Sequence, residues 1–286
     1  MPYKNILVGY DDSPYSRAAL LETISWAKAH GSRVTLVHAV FFDSEEFSIS
    51  PGQIEKRLEK GRAACELAVE GYSVECDTDI EYLVREGEPR DVIPAVAREM
   101  EADLIAMGTY GRKGLRRMIM GSVTSGVIIN SPCDVLVVKK RCEECTGEYN
   151  RILVPYDDSE PSKRAVGKVA DIADADRGAV TIIYVVPRYE EMVEFFRTSS
   201  IQERIGEEAR KVVLAGERIA YEKGITASTV VEQGNVADKI IETAKGLESD
   251  LIVMGSHGWH GIDKAILGST TERVIVHASV PVLVVR

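Results

Sequence analysis

Gly108-Thr-Tyr-Gly111 is followed by nine residues and then Gly121-Ser122. The pattern returns as Gly255-Ser-His-Gly258, nine residues, Gly268-Ser269. Each copy comes directly after a short apolar run, Asp103-Leu-Ile-Ala-Met107 in the first and Asp250-Leu-Ile-Val-Met254 in the second, and each leads into a segment with helical periodicity. A strand that ends in a Gly-rich turn and hands the chain to a helix N-terminus builds an anion site. Gly108 and Gly111 allow the backbone to approach a bulky ligand and to take positive φ where required. Gly121 and Gly268 then open helices whose N–H groups and dipole face the anion, with the hydroxyls of Ser122 and Ser269 as further donors. G-x-x-G and Gly-Ser are weak signals singly. Their joint spacing, found twice and each time after a strand, makes chance a poor explanation.

Working outward, the whole chain is a duplication. Lys4-Asn-Ile-Leu-Val-Gly-Tyr-Asp-Asp-Ser13 returns as Asn150-Arg-Ile-Leu-Val-Pro-Tyr-Asp-Asp-Ser159. Asp11 and Asp157 are 146 apart, and Gly108 and Gly255 are 147 apart. Gly71 and Gly224, read as helix ends, are 153 apart, which predicts about seven extra residues in the second copy before that point and about six extra in the first after it. In the first copy, β-rich apolar runs predict strands at 4–9, 33–40, somewhere in 73–85, 103–107 and 134–138. Helices are expected after Asp12-Ser13-Pro14, from Pro51 to about Glu70, from Glu88-Pro89 with Pro94 as an awkward interior residue, and over 122–130. Strands alternating with helices imply parallel pairing through right-handed crossovers, and their near-continuous Val/Ile/Leu content implies a sheet covered on both faces. The expected fold is therefore α/β: two doubly wound five-stranded parallel-sheet domains, 1–140 and 150–286, joined by a polar linker at 141–149.

The 286 residues are 45% hydrophobic and 28% charged, a globular balance for about two domains. A formal net charge of −10 argues against nucleic acid as a partner. No apolar run approaches the ~18 residues of a membrane span, and Ile6-Leu-Val8 is too short for a signal-peptide core, so the expectation is a cytoplasmic protein with no membrane partner. Five cysteines, an odd number, do not form a secreted disulfide framework.

In an open parallel sheet the ligand crevice lies at the strand ends where the winding reverses. That places Asp11 and Asp157 beside the Gly loops, either accepting hydrogen bonds from a ligand or only stabilising the turn. Asp12 and Asp158 are read as turn residues.

G-x-x-G, nine residues, G-[S/T] after a strand, with V-x-Y-D-x-S opening the domain, resembles the ATP-binding class of universal stress proteins over essentially the whole chain. The resemblance implies a Rossmann-like strand order of 3-2-1-4-5 and ATP, with Mg²⁺ as a companion ion, in each crevice. It implies that Asp11 and Asp157 contact the nucleoside and that the backbone near Ala39 and Val185 reads the adenine edge. Gly108, Gly111, Gly121 and Ser122, with Gly255, Gly258, Gly268 and Ser269, are implied to hold ribose and phosphates. Val123, Thr124, Thr270 and Thr271 follow on the phosphate side. It further implies an intramolecular pseudo-dimer of the two halves, compatible with a homodimer, and a protein partner that the sequence does not identify.

The copies also differ. Copy two reads Thr270-Thr-Glu-Arg273 after Gly-Ser, whereas copy one reads Val123-Thr-Ser-Gly126, and Gly126 lowers helix propensity by roughly 1 kcal/mol against Ala. A looser first site is the expectation from that glycine. Loop one carries Arg112, Lys113, Arg116 and Arg117; loop two carries His257, Trp259, His260, Asp263 and Lys264. Loop charge alone predicts that the first site holds three phosphates better. Cys142-Glu-Glu-Cys145 is half a zinc knuckle without a second pair; a plain linker is the leading reading, with zinc shared between two chains or a redox disulfide as the alternatives. Cys65, Cys133 and His38 are read as core residues. No catalytic arrangement is recognised, neither a Ser/His/Asp set nor H-E-x-x-H nor G-x-x-x-x-G-K-[ST]. A nucleotide-dependent stress regulator or sensor is the leading reading. An ATP-consuming enzyme on the same scaffold and an interaction module with empty pockets are the alternatives.

Overall fold

The computed structural model describes residues 3–41, 51–76, 79–110, 120–140, 147–187, 199–258 and 267–286. They divide into two compact units, Tyr3–Glu148 and Tyr149–Arg286. The first unit runs β1 (Asn5–Gly9), α1 (Pro14–His30), β2 (Arg33–Val40), α2 (Pro51–Cys76), β3 (Ile80–Glu86), α3 (Pro89–Glu99), β4 (Leu104–Gly108), α4 (Ser122–Asn130) and β5 (Asp134–Val138). The second repeats it as β6 (Arg151–Pro155), α5 (Glu160–Asp176), β7 (Ala179–Pro187), α6 (Ser199–Glu222), β8 (Ala227–Gly234), α7 (Val236–Gly246), β9 (Leu251–Gly255), α8 (Ser269–His277) and β10 (Val282–Val285).

Within each unit all strand pairs are parallel, in the order β3-β2-β1-β4-β5 and its counterpart β8-β7-β6-β9-β10. Successive strand residues point to opposite faces, yet Leu7 and Val8, Ile105 and Ala106, Leu153 and Val154, and Ile252 and Val253 are all fully buried. Both faces of each sheet are therefore covered by helices, which is why these strands carry no polar alternation.

Local chemistry sets the helix ends. Ser13 accepts the Ser16 N–H at 3.2 Å, Pro14 occupies the first turn, and Gly31 closes α1 at φ 68. Helix α5 repeats the start with Ser159 and Pro161 but ends on Arg177 at φ 56. Asp103 and Asp250 hold the start of each central strand pair. Asp103 accepts the N–H groups of Lys4 and Asn5 at 2.7 and 3.0 Å, and Asp250 those of Asn150 and Arg151 at 2.8 and 3.0 Å. Burial pushes the Asp250 carboxyl above its ordinary value, against the pull of those donors.

Gly71 does not end a helix. It lies inside α2, exposed and with open space around it, a tolerable position at a cost of roughly 1 kcal/mol against Ala. Gly224, at φ 88, does follow the end of α6. The expected exchange of seven and six residues accordingly disappears. Val34 pairs with Ile80 and Val180 with Ala227, so the offset between copies moves only from 146 to 147. Because α2 runs on to Cys76, β3 begins at Ile80, late in its expected window.

Candidate functional site

The winding reverses between β1 and β4 in the first unit and between β6 and β9 in the second, and a crevice opens at the carboxyl ends of each pair. The turn leaving β1 is built by two aspartates. Asp11 Oδ1 accepts the Ser13 N–H at 3.1 Å, and the Asp11 N–H reaches Ser16 Oγ at 3.3 Å. Asp12 sits at φ 63, a left-handed conformation that Asp tolerates, and its Oδ1 accepts the Tyr10 hydroxyl and the Arg17 guanidinium, both at 2.8 Å. Burial, then the Asp12 carboxylate, raises the Tyr10 pKa above its ordinary value. The second unit repeats the turn. Asp157 Oδ1 accepts the Ser159 N–H at 3.1 Å, Asp158 is at φ 65, and its Oδ1 meets the Tyr156 hydroxyl at 2.9 Å and Lys163 Nζ at 3.3 Å. Asp12 and Asp158 thus hold the turn. Asp157 spends one oxygen on it and turns Oδ2 toward Gly258, where a Cβ would stand only 2.5 Å away.

The helices facing the crevices, α4 and α8, carry no side-chain cap at the N-terminus, and neither does α3, which starts after Glu88. Helices α1, α5 and α7 are capped by the side chains of Ser13, Ser159 and Asn235; α4 and α8 begin at Gly121 and Gly268 with no side-chain cap. Their first intrahelical bonds are Ser125 N–H to Gly121 O and Glu272 N–H to Gly268 O. The N–H groups of Ser122, Val123 and Thr124, and of Ser269, Thr270 and Thr271, precede them and point out of the helix end. Together with the helix dipole they form a positive rim.

Two predicted roles shift on inspection. The hydroxyl hydrogens of Thr124 and Thr271 go to the carbonyl oxygens of Gly108 and Gly255, at 2.9 and 3.0 Å, so these threonines tie the helix start to the strand end. Gly108 and Gly255 are demanded by packing. A Cβ would come 2.7 Å from the Tyr15 backbone in one unit and 2.5 Å from Pro161 Cβ in the other. These glycines seat α1 and α5 on the sheet as well as lining the crevice. Gly126 is likewise a packing residue, its absent Cβ clearing Arg90 Cβ by only 2.8 Å, which replaces the expectation of looseness with one of close α3–α4 contact.

Ala39 and Val185 stand where strand alternation turns their peptides into the crevice. Tyr10 N–H bonds Val37 O, and Tyr156 N–H bonds Ile183 O, both at 2.9 Å. Two residues on, the N–H and C=O of Ala39 and Val185 face the same way, past the ends of β1 and β6.

The crevices are unequal. In the second unit the cavity measures about 1070 Å³, and Asp157, Val185, Gly255, Gly258, Gly268, Ser269, Thr270 and Thr271 all line it. In the first unit it measures about 90 Å³, lined by Asp11, Ala39, Gly108, Val123 and Thr124 among others, but not by Gly121 or Ser122. Gly111 and Arg112, the rest of the basic loop, the residues from Trp259 to Lys264, and Cys142 and Cys145 lie outside the described residues.

Comparison with known proteins agrees with this twofold architecture. The model of the universal stress protein family matches residues 2–139 and again 148–286. The chain belongs to the universal stress protein family. A Staphylococcus aureus (strain USA300) protein assigned by name to the same family is 33% identical over 152 residues, 51% of this chain and 89% of that one. Among solved structures, a universal stress protein from Archaeoglobus fulgidus DSM 4304 superposes with a TM-score of 0.75 at 22% identity, over 99% of this chain and 98% of the other. A Pseudomonas aeruginosa UCBPP-PA14 protein does so with a TM-score of 0.63 at 18% identity, over 99% and 93%. At those identities the superpositions establish the fold.

In this universal stress protein Cys65 is buried, while Cys133, expected in the core, is half-buried. His38 is buried with Nδ1 2.8 Å from Tyr10 O. Burial pushes the thiols of Cys65 and Cys133 up to about 12 and about 11. Among the described residues no group of three His, Cys, Asp or Glu is placed to hold a metal ion, and no helix is long and apolar enough to cross a membrane. Sequence reasoning missed the aromatic residue in the first crevice, Tyr110, although G-T-Y-G against G-S-H-G displays it.

Proposed function

We propose that this universal stress protein binds an adenine nucleotide, ATP, and works in the cytoplasm as a nucleotide-dependent regulator of an unidentified protein partner. The observation that carries the proposal is the second crevice. One cavity of about 1070 Å³ brings together a peptide edge at Val185, the outward Asp157 carboxylate oxygen, the bare Gly258 backbone and the uncapped start of α8. Those are a hydrogen-bonding edge for a base, an acceptor for ribose hydroxyls and a donor rim for phosphates, in the order of the neighbouring strands β7, β6 and β9 across the sheet. The volume is at the top of the ~300–1,000 Å³ range of small-molecule sites. Mg²⁺ would be held mainly by the phosphates and water, as that ion prefers, without a protein cage.

The test is calorimetric titration of purified, nucleotide-stripped protein with ATP and Mg²⁺, beside Gly258→Val. Binding is expected, and the variant should weaken it by on the order of tenfold or more, or 1.4 kcal/mol, because bulk at 258 displaces the Asp157 carboxylate. A folded wild-type protein that takes up no adenine nucleotide at millimolar concentration would end the proposal.

A further inference from the structure

The two crevices share a backbone and differ in what stands at their centre. At the middle of the Gly-rich turn the first unit has Tyr110 and the second His257; in the first turns of α1 and α5 they have Tyr15 and Pro161. Gly108 presses on Tyr15 as Gly255 presses on Pro161, so these positions correspond in space as well as in sequence. Tyr110 is 4% exposed, and its ring meets Tyr15 edge-on with centroids 5.2 Å apart. It lines a space of about 90 Å³ together with Asp11, Ser16, Met107 and Thr124. His257 is half-buried, with Nδ1 3.0 Å from Ser256 Oγ, and lines a cavity of about 1070 Å³.

We infer that the chain takes up one nucleotide, in the second crevice, and that Tyr110, braced by Tyr15, is the residue that shuts a nucleoside triphosphate out of the first. This rests on the nucleotide reading above and specifies where it applies. A space of about 90 Å³ is several-fold below the ~300 Å³ at which small-molecule sites begin. An edge-on aromatic pair is favourable beyond the area it buries, so swinging Tyr110 aside costs free energy that a ligand must supply. Neither obstacle exists in the second unit. The inference reverses the order that loop charge alone suggests, because charge acts on a phosphate only once the nucleotide has room to enter.

Stoichiometry decides it. Titration of the full chain with ATP and Mg²⁺ should give one nucleotide per chain in wild type, one bound at least about tenfold more weakly in Gly258→Val, and two in Tyr110→Ala. Tyr110→His, which installs the second unit's residue, should also raise the count. In parallel, photolabelling of wild-type protein with 8-azido-ATP and peptide mapping should mark only residues after 149, a readout that needs no variant to fold. Two nucleotides per chain in wild type, or labelled peptides from residues 3–110, overturn the inference and leave the nucleotide reading intact. A count that stays at one in folded Tyr110→Ala and Tyr110→His removes Tyr110 from the account. No nucleotide on any folded protein brings down the underlying reading instead.

Discussion

The two units share strand order, register, turn chemistry and the serine caps of α1 and α5, and they part company at the crevice and at the helix pair beside it. In the first, Tyr110 lines a strand-end space of about 90 Å³ with its ring against Tyr15, and a glycine lets α4 lie against α3. In the second, a histidine and a proline leave the space open, and Arg273, at the place of Gly126, bonds Asp238 Oδ1 at 2.8 Å. A duplicated fold can thus keep its scaffold while one copy keeps a cavity and the other fills it. Burying the Tyr110 ring is favourable on its own account, at ~25 cal/mol per Å² of apolar surface.

The largest effects should fall where the units are alike. Gly108→Val and Gly255→Val drive a branched side chain into the first turn of α1 and of α5 respectively, and overpacking of this kind costs about 1–3 kcal/mol or more. Urea unfolding midpoints should drop comparably for both. A loss in only one unit would break the structural equivalence of the two strand–helix junctions.

Next comes the pair that separates them. Gly126→Ala should destabilise by about 1–3 kcal/mol despite the gain of roughly 1 kcal/mol in helix propensity, because the new Cβ meets Arg90. Arg273→Ala removes an ion pair whose side chains are about half exposed, worth less than about 1 kcal/mol. If Gly126→Ala proves stabilising, α3 and α4 are not in the contact described.

The serine caps should again act alike, with Ser13→Ala and Ser159→Ala each costing about 1 kcal/mol. A differential urea series resolves that change. The smallest effect is a rate that reads one unit alone. All five cysteines precede residue 146, so thiol chemistry reports on the first unit. Cys65, fully buried and pushed up to about 12, stays a protonated thiol in the fold. Alkylation of Cys65 at pH 8, followed by peptide mass spectrometry, should be faster in Gly126→Ala than in wild type and unchanged in Arg273→Ala. The same shift has a stability consequence. From its ordinary value near 9.0 up to about 12, the unfolded chain releases a proton that the fold retains, so this thiol's contribution to stability falls as pH rises.

Much was legible before any coordinates. Ser13-Pro14, Gly31 and the Val/Ile/Leu runs mark their elements through local dihedral and capping preferences, and the recurring Gly spacing marks the crevices. Gly71 misled because a lone glycine both ends helices and sits within them, and only packing over the next turn distinguishes the cases. Gly126 misled in the same way: propensity counts the glycine against its own helix, while its use lies in the neighbouring one.

The linear order of residues therefore determined the duplication, the α/β class, the parallel strands and the glycine-lined turns, since all of these follow from spacing along the chain. Tertiary structure alone decided that Thr124 and Thr271 spend their hydroxyls on strand-end carbonyls and that Asp157 turns one oxygen toward Gly258. It alone decided that Tyr110, which lines the first crevice, meets Tyr15 edge-on. The reason is distance. Tyr15 and Tyr110 lie 95 residues apart in the sequence and touch only because β1 and β4 are neighbours in the sheet. The volume left for a ligand depends on such non-local pairs, which leave no periodicity to read.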